Sequence, residues 1–154
     1  MRVEEKSILI RFVSLYHIST FILLGIIAVL IFNMQYQSIY NLTISNLETI
    51  SSKISTKIIT SAMNNKELDF NNLCNSHPGI KFSLYDKGNQ IIFSDIKLPI
   101  NINFDKKSYL QDDSIIIVDK SPVGHLGVYS IVMVNDTFIE KTHSILITII
   151  IAFI

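Results

Sequence analysis

At 154 residues the chain has room for one modest domain, and its 13 cations balance 13 anions with no basic stripe, so nothing marks a nucleic-acid partner. Hydrophobic residues make up 49% and charged ones 17%, and the mean hydropathy of +0.41 is high for a soluble globule. The single cysteine, Cys74, excludes an intramolecular disulfide, and no Gly-rich phosphate loop, G-x-S-x-G elbow, H-E-x-x-H helix or paired acidic motif points to an enzyme.

The apolar excess sits at the two ends. Arg2, Lys6 and Arg11 form a basic leader, and Phe12 to Asn33 then runs for 22 residues without Lys, Arg, Asp or Glu. At about 1.5 Å per residue that stretch matches a hydrocarbon core of roughly 30 Å. It is longer than the apolar region of a signal peptide, and no small-x-small cleavage signal follows Phe32, so a retained transmembrane helix is expected over 12–33. The leader places residues 1–11 in the cytoplasm. Residues 34–142 then lie outside it, in the periplasm if the heavy use of Ile, Asn and Lys marks an A·T-rich bacterial genome. His17 falls near the cytoplasmic end of the span, where an imidazole can reach the headgroups.

From Met34 to Met63 there is no Pro or Gly, and Ile39, Leu42, Leu47, Ile50, Ile54, Ile58 and Ala62 recur at helical spacing. The membrane helix is therefore expected to continue outward as one long helix. Residues 64–79 read as a short helix ending in a His-Pro-Gly turn. The period then changes to two: Ile80 to Asp86 and Gln90 to Ser94 form a hairpin about Lys87-Gly88-Asn89. An Asn-rich connector with one Pro follows, then extended runs at Ser114 to Asp119 and His125 to Asn135, separated by KSPVG. Asp112-Asp113 reads as a solvated turn, and the glycosylation-like triplets at Asn41 and Asn135 carry little weight in a bacterium.

The chain closes on SILITIIIAFI, which reads as the start of a second transmembrane helix over 143–154, cut short; a buried C-terminal element is the rival. Helix first, then a meander of four or five antiparallel strands, gives an α+β fold with helices on one sheet face. It is compatible with the PAS-like fold of many extracytoplasmic sensor domains.

Two stretches, HPGIKFSLYDKGNQIIFSDI (His77 to Ile96) and SPVGHLGVYSIVMVND (Ser121 to Asp136), resemble the sensor region of epsilonproteobacterial two-component histidine kinases. In layout the resemblance covers nearly the whole chain. It implies a dimeric receptor whose cytoplasmic part phosphorylates itself on histidine and passes the phosphoryl group to a response regulator. None of that machinery lies within these residues, so no catalytic residue is carried over and this chain alone is not expected to be a kinase.

Of the titratable groups, Cys74 and His77 make a C-x2-H pair of ligands suited to zinc, copper or nickel. A site would need His125, Asp119 or a second subunit to complete it; a turn histidine and a small core cysteine explain the same residues. Cys-His catalysis lacks a third group. His143 and Glu140 share a helix face, a pH-sensitive contact or a membrane-boundary anchor. A small-molecule pocket is expected on the sheet face of the last strands, lined by Tyr109, Lys120, His125 and Tyr129. No cofactor is implied.

The expected function is a membrane-anchored sensor module of a bacterial receptor, by the resemblance a histidine kinase, working as a homodimer in the inner membrane and responding to an unidentified periplasmic ligand. The same architecture precedes chemoreceptor and cyclic-dinucleotide output domains. A pilin-like structural protein, or a small membrane protein acting as a partner or inhibitor, is the alternative of another class.

Overall fold

Helix α1 takes up the first two-fifths of the chain. The computed structural model describes residues 2–65, 69–70, 76–77, 79–97, 101–120 and 122–152. Its order is α1 (Arg2–Met63), β1 (Ile80–Tyr85), β2 (Ile91–Ser94), β3 (Ser108–Gln111), β4 (Ser114–Asp119), a 3-10 helix (Pro122–Leu126), β5 (Ser130–Asn135) and α2 (Phe138–Ala152). The fold is thus α+β, with a long N-terminal helix and a five-stranded antiparallel sheet. Most of the short helix expected over 64–79 lies outside the described residues.

The chain divides into two units, 39–141 and the two ends, 1–38 with 142–154. In the end unit α1 leaves its apolar side chains uncovered: Phe12 is 74% exposed and Phe21 72%. Here α1 is long and apolar enough to cross a membrane. Two of its polar side chains bond back to the helix's own carbonyls. Thr20 Oγ1 donates to Tyr16 O at 2.9 Å, and His17 Nδ1 lies 2.7 Å from Val13 O. In α2, Thr148 Oγ1 donates to Ser144 O at 2.8 Å. Such local bonds satisfy a polar group within the helix, as an apolar surround requires. The 15 described residues of α2 span about 22 Å, short of a hydrocarbon core.

In the central unit the strand order is β2-β1-β5-β4-β3. The middle strands carry continuous apolar runs, Ile115 to Val118 in β4 and Ile131 to Val134 in β5, and every one of these side chains is buried. Runs of that kind require cover on both faces.

Register separates the two faces. Phe82 opposes Met133, Leu84 opposes Ile131, and Met133 opposes Ile117, which puts these five with Asp119 on one face. Helix α1 covers this face with Leu47, Ile50, Ile54 and Ile58, and Ser51 Oγ donates to Asp119 Oδ2 at 2.7 Å across the join. Phe93 sits 5.4 Å from Phe82 and stacks on Phe70 at 4.5 Å. On the opposite face Tyr85, Ile116, Val118, Val132 and Val134 cluster with Ile96, and Ile102, Phe104 and Tyr109 pack over them. The connector between β2 and β3 is therefore the cover of the second face.

Three expectations are corrected. The run His125 to Asn135 is not one strand: Gly127 adopts φ +87°, a left-handed conformation that ends extension, and the strand begins at Ser130. The connector, expected to run to Ser108, gives way there to a strand, Ser108–Gln111, in residues that the sequence assigned to no extended run. Along α1, Leu42 is 70% exposed and Ala62 is exposed as well, while Thr43, Ser51 and Ser55 take buried positions.

Candidate functional site

The last residues of β4 are placed by alternation: Asp119 faces α1, so Lys120 leaves on the other side. There the connector residues Phe104 to Lys107 run beside it. They are held by the main-chain bond from Val118 N to Lys107 O at 2.9 Å and by the bond from Asn103 N to the Tyr109 hydroxyl at 2.8 Å. Phe104 meets the Tyr85 ring edge-on, with centroids 5.1 Å apart. Burial pushes the Tyr85 hydroxyl pKa up, so the phenol stays neutral.

This arrangement leaves a trough of about 360 Å³ over Phe104 and Val118, rimmed by Asp105, Lys106, Lys107, Asp119 and Lys120. A second hollow of about 370 Å³ adjoins it through Phe104, Asp105 and Lys120, and reaches Asp86, Lys87, Asn89 and Tyr129. A third, of about 230 Å³, lies toward α1 and shares Lys107, Val118 and Asp119 with the first while adding Glu48. Lys107 thus belongs to both sides. Its Nζ is 2.7 Å from Glu48 Oε1, and the hydrogen bond to that carboxylate raises the lysine pKa.

The neighbouring charges are not alike in their engagements. Asp86 Oδ1 accepts from Gly88 N and Gln90 N at 2.8 Å each, which fixes the β1–β2 turn. Asp119 is taken by Ser51. Among the described residues no carboxylate lies within ion-pair distance of Lys87, Lys106 or Lys120.

Of the four pocket residues expected from the sequence, Lys120 and Tyr129 line these hollows. The Tyr129 ring lies against Gly124, where an added Cβ would come within 3.1 Å of it. Tyr109 instead packs among the core residues behind Phe104, its hydroxyl spent on Asn103 N. His125 is exposed on the 3-10 helix and lines none of the three. The residues that sequence reasoning missed are Phe104 to Lys107, because the connector shows no period that would mark it as a sheet cover. The adjacent Asp105-Lys106-Lys107 was the signal available.

Of the candidate metal ligands, Cys74 lies outside the described residues. His77 starts a turn closed by Ile80 N donating to its carbonyl at 3.1 Å. Its pKa is lowered by burial and then by Lys53 and Lys57, and cations so placed work against a bound metal ion. No group of three or more His, Cys, Asp or Glu with metal-holding geometry occurs among the described residues. Asn135 is buried; its Oδ1 accepts from the Thr137 main chain at 3.1 Å and from the Thr137 hydroxyl at 3.2 Å, at the entry to α2. Comparison with protein-family models, curated proteins and solved structures finds no match.

Proposed function

We propose that the chain is the membrane-anchored, extracytoplasmic sensor module of a bacterial signalling receptor, with a two-component histidine kinase as the parent. The observation that carries this reading is α1 itself. One helix holds an uncovered apolar stretch of membrane length and, further along, the buried Leu47 to Ile58 stripe that packs on the sheet. In this reading the helix that anchors the chain is also the first element of the domain. Support for a PAS-like domain comes from the antiparallel sheet with β5 at its centre, α1 on one face and a connector-covered hollow on the other.

In this reading residues 34–142 lie in the periplasm, the receptor is a homodimer along α1, and the stimulus favours one of two arrangements of the sheet on α1. Such a stimulus transmits only as much as it discriminates between the two. The response regulator would be met by cytoplasmic parts beyond these residues.

The test is an immunoblot of the host's membrane fraction with an antibody to 34–142, joined to labelling of intact cells by a membrane-impermeant maleimide. A membrane band tens of kDa heavier than 154 residues, with Asn89→Cys in a Cys74→Ser background labelled without lysis, is the expected result. A band at the mass of this chain, or labelling only after lysis, would overturn it.

A further inference from the structure

We infer that the trough over Phe104 and Val118 binds a small carboxylate-bearing molecule through Lys106 and Lys120, and that Lys107 exchanges Glu48 for that anion when it binds. The inference rests on the sensor reading for its purpose, but its chemistry is independent of it.

Two features select the ligand class, and two more say how it is held and how large it is. Lys87, Lys106 and Lys120 surround the hollows without a carboxylate partner among the described residues, whereas Asp86 and Asp119 are already engaged, which leaves Asp105 as the one anion set against the three lysines. Phe104 and Val118 give the trough an apolar floor, which suits an organic anion better than a bare inorganic one. The cations are all lysines, since no arginine follows Arg11, so the anion is held by mobile point charges and not by a fixed bidentate fork. A volume of about 360 Å³ fits a molecule of metabolite size.

The exchange follows from the position of Lys107. Its ammonium is held at 2.7 Å by Glu48, a residue of α1, yet the same residue rims the trough. A carboxylate arriving beside Lys106 and Lys120 competes with Glu48 for that ammonium. Binding would then weaken a tie between the connector and α1, and Asp119, bonded to Ser51 one residue from Lys120, lies next to the change.

The experiment is calorimetric titration of the full chain in detergent micelles with acetate, succinate, citrate and glutamate, using putrescine and glucose as cationic and neutral controls. At least one carboxylate should bind. Lys120→Met and Lys106→Met should each weaken it about tenfold or more. Glu48→Gln should tighten it about two- to fivefold by freeing Lys107, an effect absent if Glu48 merely helps to hold the fold. Circular dichroism of each variant confirms that it is folded. Absence of carboxylate binding at about 10 mM would overturn the inference. So would binding unaffected by Lys120→Met, or an unchanged or weaker affinity in Glu48→Gln. Binding of putrescine or glucose alone would sink the anion assignment while leaving the sensor reading to its own topological test.

Discussion

Asp112 and Asp113 join β3 to β4 with φ of 46° and 64°, so both residues of a two-residue hairpin loop sit in the left-handed region that type I′ turns require. Aspartate tolerates that conformation less well than Asn-Gly, and two adjacent carboxylates repel. Replacing the pair with Asp112→Asn and Asp113→Gly should therefore raise unfolding stability by about 0.5–1 kcal/mol, measured by urea titration in micelles. A loss of stability would mean that these carboxylates have partners worth more than the turn. His77 offers a second test at this scale. Burial, then Lys53 and Lys57, hold its pKa below the ordinary 6.5, so the folded chain binds fewer protons than the unfolded one between the two values. The associated stability is present above 6.5 and is lost as pH falls through that window. An NMR titration of the imidazole should show its pKa rise in Lys53→Met and in Lys57→Met, while part of the depression, owed to burial, persists in both. An imidazole unmoved by either substitution would refute the electrostatic part.

Helix α1 and the strands show how far spacing carries and where it stops. In the α1 stripe Leu47, Ile50, Ile54 and Ile58 are buried as the 3.6-residue period requires, and their neighbours Ser51 and Ser55 are buried with them. Hydropathy could not have picked out those serines: Ser51 is there to bond Asp119, a tertiary partner 68 residues away. The β1–β2 hairpin was legible because alternation and a Lys-Gly-Asn turn coincide. Strand β3 was not, since four residues are too few for a period and its existence depends on pairing with β4. Of the site, Lys120 and Tyr129 could be placed on the last strands, but the connector that completes the trough is ordered by packing alone. The register of α1 can be tested directly. Ile54→Ala removes a side chain only 2% exposed and should cost about 2–4 kcal/mol. Thr56→Ala lies on the outer face, where the hydroxyl merely donates to Ser52 O at 3.0 Å, and should be neutral or slightly stabilising because alanine is the better helix former. Comparable losses at both positions would mean that α1 presents a different face to the sheet.

For the molecule as a whole, the decisive physical quantity is the free energy of placing α1 in a bilayer. Residues 12–33 carry no formal charge, and no residue in the most apolar 18-residue window of this helix is buried, so in the proposed reading lipid is what covers them. Leu23 and Ile27 lie near the middle of that stretch, one turn apart, at 57% and 39% exposure. A lysine at the centre of a membrane helix costs about 3 kcal/mol, so Leu23→Lys with Ile27→Lys should cost about 6 kcal/mol or more. That exceeds what the remaining apolar residues can offset with Arg11 on their flank. The doubly substituted chain should leave the carbonate-resistant membrane pellet, while single conservative changes such as Leu23→Ile stay in it. The same lysines on an ordinary soluble helix, exposed to water, would change stability by about 0.5 kcal/mol or less and leave fractionation as it was. Retention of the double variant in the pellet would show that α1 is not what holds the protein to the membrane. The continuity of α1 from the apolar stretch to the sheet would then have to serve some purpose other than carrying a signal across a bilayer.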